Sequence, residues 1–245
     1  MTRRLTILSA LLIAATVPVQ AQMQPEGFSA GIALTAGSSS FIGDNEASAL
    51  PLLRYDSRRF SIGVPDGARI TLFENEGLRF SGVFSPRLSA IDGLDAPELA
   101  GIDRDITLDI GGQVDYRFGR GTSVFLRTVT ELTNEHGGQE TTMGVRQALP
   151  LSGTPVFLGA GVSYLSGDLS EYVYGVRASD TGFAPYAPGD VFIPYVNIGA
   201  SFPLTERVSL VGNLQAEFLP DEVFGSPIID DDITIGGLIG LSMRF

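Results

Sequence analysis

His136 is the single imidazole in the chain, and there is no cysteine. A lone histidine acts as a general base only beside a nucleophile, and no Gly-x-Ser-x-Gly elbow accompanies it, so serine-hydrolase chemistry is not indicated. Its setting, Thr133-Asn134-Glu135-His136-Gly137-Gly138, reads as an exposed loop, so His136 is expected to be solvated and replaceable without loss of function. The lack of cysteine excludes disulfides, thiolate metal sites and a thiol nucleophile. Oxygen ligation of a hard cation is what remains, and Asp221, Glu222, Asp230, Asp231 and Asp232 are the acidic segment that would offer it. They lack the spaced pattern of a calcium loop, and read instead as a solvated loop. The glycine pairs Gly111-Gly112 and Gly236-Gly237 are structural, marking bends or close packing in strands rather than a phosphate cradle. The sequence therefore indicates no enzyme, no cofactor and no resident metal.

A second set of charges has a more regular spacing. Asp105, Asp109, Asp115 and Arg117 alternate with Ile106, Leu108, Ile110, Gly112, Val114, Tyr116 and Phe118, a strict period of two that turns one face polar and the other apolar. Arg127 with Glu131, Glu140 with Arg146, and Arg207 with Glu217 hold equivalent positions in later segments. Both signs on one face suit a polar interior held by arginine–carboxylate pairs and water, or a narrow polar channel.

The elements that would carry these faces are strands. Residues 105–118, 208–218 and 233–245 have the clearest alternation, and 27–36, 48–55, 58–64, 67–74, 77–85, 123–132, 139–149, 155–166 and 190–202 follow it less strictly. The best segments, at about 10 to 14 residues, exceed the usual soluble strand of about 5 or 6 and suit a tilted bilayer crossing of about 9 to 11. No stretch is apolar for long enough to cross as a helix. Twelve strands is an even number, which returns both ends of the mature chain to the periplasm. Counted back from Phe245, the connections on that side are short, whereas those on the other side, at 37–47, 86–104, 133–138, 167–189 and 219–232, are long, with the small turn at Pro65-Asp66 the exception. Tyr55, Tyr116, Phe118, Phe202 and Phe245 fall at the periplasmic strand ends, and Phe84, Tyr164, Phe192 and Phe218 nearer the outer ends, as two interfacial girdles require.

Composition agrees. The chain has 245 residues, 30 of them glycine, and is 44% hydrophobic, which excludes disorder. Sixteen basic residues, all arginine, against 28 acidic ones give a net charge of −12, the wrong sign for a nucleic-acid partner. Arg3 and Arg4 precede an apolar run to Val17, and Val19 and Ala21 supply the small residues of a cleavage site, so residues 1–21 read as a secretory signal and 22–245 as the exported barrel. The expected fold is thus all-β, a transmembrane antiparallel up-and-down β-barrel of about twelve strands in the outer membrane. Lipid and lipopolysaccharide surround it, and the C-terminal Phe245 is the feature that the barrel assembly machinery would read.

The C-terminal half carries a recognisable set of motifs. Tyr172-Val173-Tyr174-Gly175-Val176, Tyr186-Ala187-Pro188-Gly189-Asp190, Pro203-Leu204-Thr205-Glu206, Gly225-Ser226-Pro227-Ile228-Ile229 and the closing Met243-Arg244-Phe245 together resemble the MipA/OmpV family of outer-membrane proteins. Pro51-Leu52-Leu53-Arg54-Tyr55, Arg59-Phe60 and the Gly63-to-Gly67 region fit its N-terminal part. The resemblance implies an outer-membrane barrel and, for some members, a scaffold between a murein-cleaving lytic transglycosylase and a murein polymerase. It brings no catalytic residues. A narrow porin-like channel for small polar solutes is the alternative that the strand faces leave open.

Overall fold

The computed structural model describes residues 26–43, 47–87, 96–102, 104–119, 121–151, 154–180 and 182–245. The expected signal, residues 1–21, lies outside the described residues. The first five strands are β1 (Gly27–Ser38), β2 (Ser48–Asp56), β3 (Phe60–Val64), β4 (Gly67–Asn75) and β5 (Leu78–Arg87). After them come β6 (Thr107–Phe118), β7 (Thr122–Glu131), β8 (Gln139–Leu151), β9 (Thr154–Leu165), β10 (Val191–Pro203), β11 (Val208–Phe218) and β12 (Ile233–Arg244). Each strand pairs antiparallel with its sequence neighbours, and β1 pairs with β12 to close the barrel. Closure satisfies backbone donors and acceptors that lipid could not. The twelve segments expected from alternation are these strands, with boundaries shifted by a few residues.

The faces separate as the alternation requires. Val114, Leu126 and Met143 lie side by side across β6, β7 and β8 and are exposed toward the bilayer. Gln113, Phe125 and Val129 on the opposite face are buried. Tyr55, Tyr116, Phe118 and Phe202 are exposed near one end of the barrel, and Phe84, Phe192 and Phe218 near the other. Gly111 shows why the strands hold glycines: a Cβ there would run into the Thr128 carbonyl oxygen of the neighbouring strand.

Two departures from a uniform wall matter. The β3–β4 hairpin is short, so β2 pairs with β1 from Ser48 to Asp56 but with β3 only from Leu53 to Asp56. Among the described residues, the β3-facing edge of 48–52 has no strand neighbour, and Pro51, which lacks an N–H, sits in that stretch. The second departure is at the outer end, where the long connections fold inward. They carry a 3-10 turn (Pro97–Leu99), α1 (Gly167–Tyr174) and α2 (Asp221–Phe224). Phe41, Leu99, Ile102, Leu169, Tyr174, Val176, Val223 and Ile228 meet there with Val191 and Ile193 of β10 in one buried cluster. The main apolar core is therefore a cap over the outer mouth.

Candidate functional site

The barrel interior beneath this cap is where the charged residues gather. Arg87 of β5 bridges two carboxylates, Asp109 of β6 at 2.7 Å and Glu140 of β8 at 2.6 Å. Arg127 of β7 donates to the Ser85 hydroxyl at 2.7 Å and stands 3.8 Å from Glu140. Lower down, Arg146 of β8 is 3.5 Å from Asp115 of β6 and lies over the Phe125 ring at 3.7 Å. Gln113 donates to both Asp115 oxygens and accepts from Arg69 of β4 at 3.1 Å. Arg54 of β2 reaches Asp56 at 2.7 Å and Asp66 of the β3–β4 turn at 2.8 Å. Glu217 of β11 is buried and accepts from Gln215 at 3.0 Å. Paired and hydrogen-bonded in this way, the ions cross-link strands far apart in sequence and fix their register, although such pairs add little net stability over an apolar filling.

Asp109, Asp115, Arg127, Glu140, Arg146 and Glu217, expected to line the lumen, are found in this network or beside it. Four other residues need correction. Asp105 precedes β6, is exposed, and contributes its backbone carbonyl, which accepts the Tyr172 hydroxyl. Arg207 lies in the exposed turn between β10 and β11, where its carbonyl accepts from the Arg244 N–H. Arg117 sits at the periplasmic rim, its side chain half exposed and 3.1 Å from Glu74. Glu131 turns back under its own loop, accepting from the backbone N–H groups of Glu135, His136 and Gly137 and from the Thr133 hydroxyl. The cause is common to all four: alternation dictates side-chain direction only while both neighbouring strands hold the backbone, and these residues stand at or past the last pairs.

Arg54, Arg69 and Arg87 were missed as lumen residues. Arg54 and Arg69 sit in strands between apolar neighbours, Leu53 and Tyr55 around Arg54 and Ala68 and Ile70 around Arg69, and Arg87 ends β5. Short or irregular alternation hid that signal, since β4 carries a bulge between Thr71 and Phe73.

The cap is tied down by polar contacts from residues that the sequence groups into motifs. Arg104 is 2% exposed and donates to the Tyr172 carbonyl at 2.7 Å, the Gly175 carbonyl at 3.1 Å and Asp180 at 2.9 Å. Tyr172 stays a donor because burial pushes its phenol up to about 12. Tyr174 stacks on Phe41 at 5.9 Å, and its carbonyl accepts the Ser226 hydroxyl at 2.6 Å. Val176 bridges to Tyr186, and Pro227 stands in the turn between Ser226 and the buried Ile228. Residues 40–42 zip to 228–230 through backbone hydrogen bonds. Tyr172, Tyr174, Gly175, Val176, Ser226 and Pro227 are thus joined in one cap, whereas Phe245 is at the other end of the barrel, exposed and beside Phe28.

The chain matches the family described as MltA-interacting protein MipA over residues 29–245, which takes in all but the first two residues of β1, the other eleven strands and the cap. It belongs to the MipA family. Similarity extends to the outer membrane protein OmpV of Vibrio cholerae, 27% identical over 79% of this chain and 77% of that protein. The MltA-interacting protein of Escherichia coli K12 is 35% identical over 38% of this chain and 39% of its own. Among solved structures, the COG4313 outer membrane channel of Pseudomonas putida F1 superposes with a TM-score of 0.50 at 12% identity, covering 93% of this chain and 99% of that one, a likeness of fold alone. This MipA-family protein is an outer-membrane β-barrel.

Proposed function

We propose that this protein is an outer-membrane anchor whose periplasmic rim docks murein-remodelling enzymes. The observation that carries the reading is the charge of that rim. In bacterial barrels the short turns face the periplasm, and here they hold Arg58, Arg59, Arg117, Arg207 and Arg244, all exposed, with Arg79 beside them. Glu26, Asp56, Glu74, Glu76 and Glu206 are their acidic neighbours. The opposite end carries Asp221, Glu222, Asp230, Asp231 and Asp232, so among the described residues the exposed arginines of a chain of net charge −12 gather at the end that faces the cell wall. Such a rim attracts an acidic protein surface and orients its approach. The relative named for interaction with MltA supports the same kind of partner. Turns of a few residues offer little area, so the contact is a steering and tethering one rather than a large interface. The exposed Phe245 closing β12 suits reading by the assembly machinery, and lipopolysaccharide meets the acidic outer loops.

Photocrosslinkers placed at Arg58, Glu76 and Arg207 in living cells test this. Recovery of a lytic transglycosylase or murein polymerase at these positions, and its loss when Arg58, Arg59 and Arg207 are changed to Glu, is the expected result. Adducts to lipid and lipopolysaccharide only would refute it. A narrow channel is the second reading, favoured by the partial solvent exposure of the lumen arginines, between 18% and 25% for Arg54, Arg87, Arg127 and Arg146. The apolar cap stands against free conduction.

A further inference from the structure

Among the described residues the lumen carries five arginines and six carboxylates, but they are unevenly shared: Arg54 and Arg87 take two carboxylates each, which leaves Arg69, Arg127 and Arg146 around Asp115. Arg54 is matched by Asp56 and Asp66. Arg127 has only a 3.8 Å approach to Glu140, which is already held by Arg87 at 2.6 Å. Arg146 has only a 3.5 Å approach to Asp115. Arg69 has no carboxylate within ion-pair distance among the described residues, and one described hydrogen bond, to the neutral Gln113 side chain. Its charged surroundings are Asp115 and three more arginines, Arg146, Arg127 and Arg54. Arg69 reaches Gln113 over β5, where the inward residue paired with Gln113 is the small Ser81, whose hydroxyl is buried without a partner.

A guanidinium has five N–H donors in a fixed fork that matches the two oxygens of a carboxylate or phosphate. Most of the donors of Arg69 are not used by protein groups, and the neighbouring cations raise the local potential inside low-dielectric walls, which concentrates anions. Outward-facing apolar residues on the same strands keep this charge away from lipid, and the carboxylates of the lumen are engaged elsewhere or shared, so an anion from solution is the group that would complete the pairing of Arg69. We propose that the waist of the lumen is an oxyanion-binding site, in which Arg69 grips a carboxylate or phosphate bidentately and Arg127 and Arg146 hold its further oxygens. The ligand enters from the periplasmic end, where Arg79 and Arg117 share the single carboxylate of Glu74, because the apolar cap covers the other end. The site is independent of the rim contact proposed above.

Titration calorimetry on the refolded full chain in a neutral detergent tests it, with citrate, inorganic phosphate and glucose as probes. Citrate or phosphate is expected to bind and glucose not to, and the affinity is expected to fall as salt is raised. Comparing citrate with phosphate tells which oxyanion the waist prefers. Arg69→Gln should weaken the preferred anion at least about tenfold, and Arg69→Lys should weaken it less, because charge is kept and the fork is lost. Asp115→Asn, which removes the one carboxylate beside Arg69, should instead strengthen binding, a sign that a merely structural role would not produce. Heat-modifiable gel mobility checks that each variant is a closed barrel. Equal heats for citrate, phosphate and glucose, or an Arg69→Gln protein that binds as the parent does, would overturn the proposal.

Discussion

His136 illustrates what a single residue can and cannot reveal. Its loop is exposed, as expected, but the ring is half covered and lies 4.6 Å from the Tyr172 ring. Nδ1 accepts the Gly138 N–H at 2.9 Å, while Nε2 is buried without a partner. Burial lowers its pKa below 6.5, with Arg87 and Arg177 adding to the effect and Glu131 and Asp109 opposing it. A base whose folded pKa is depressed binds more protons when unfolded, so its contribution is intact above about pH 6.5 and is lost as pH falls below that. Amide exchange at Gly138 should therefore quicken on acidification from pH 7 to pH 5, and His136→Gln should flatten that dependence. Arg104 is the residue on which the cap depends most. Removing a partner from a buried, hydrogen-bonded ion pair costs about 3–5 kcal/mol. Arg104→Ala should expose residues 176–186 to protease added outside the cell, without unfolding the barrel, and limited proteolysis followed by mass mapping checks this.

At the scale of elements, strand direction and membrane position were legible wherever pairing runs unbroken. In β6 the alternation of Asp109, Gln113 and Asp115 with Ile110, Val114 and Tyr116 reads directly as lumen and lipid faces. Leu126 lies on the lipid side near the middle of β7. Leu126→Arg should cost about 2–4 kcal/mol in bilayer unfolding, the penalty for a midplane arginine facing lipid. An arginine on the inner face, such as Arg127, carries no comparable penalty. The β3–β4 hairpin is the least uniform element. Gly67 there has φ of +77°, and a Cβ would strike the Phe84 carbonyl oxygen. Gly67→Val should disrupt the turn and, through it, the Arg54–Asp66 bridge, lowering the temperature of the heat-induced mobility shift.

The whole molecule joins a charged lumen, an apolar cap and a rim that carries exposed arginines. The cap predicts that the intact protein gives small or no conductance steps in planar bilayers. Deleting residues 177–185, the stretch of sequence between the bridged Val176 and Tyr186, should open larger ones. If the deletion leaves conductance unchanged, the lumen itself and not the cap is the barrier.

The sequence by itself determined the strand number, the side on which each connection lies and the polar face of each well-formed strand. Period-two alternation and connection length are local properties that a bilayer enforces at every crossing. It also carried the motifs shared with the MipA family, without telling what they do. Only the tertiary structure decided that Tyr172, Tyr174, Val176 and Ser226 lock a cap, that Arg104 pins it, and that Asp105 and Arg207 leave the lumen. Likewise, the pairing of Arg87 with Asp109 and Glu140, and the lack of such a partner for Arg69 among the described residues, follow from which strands stand next to each other around a closed ring. Those adjacencies, and the inward folding of long connections, depend on contacts between residues far apart in the chain, for which no local period exists.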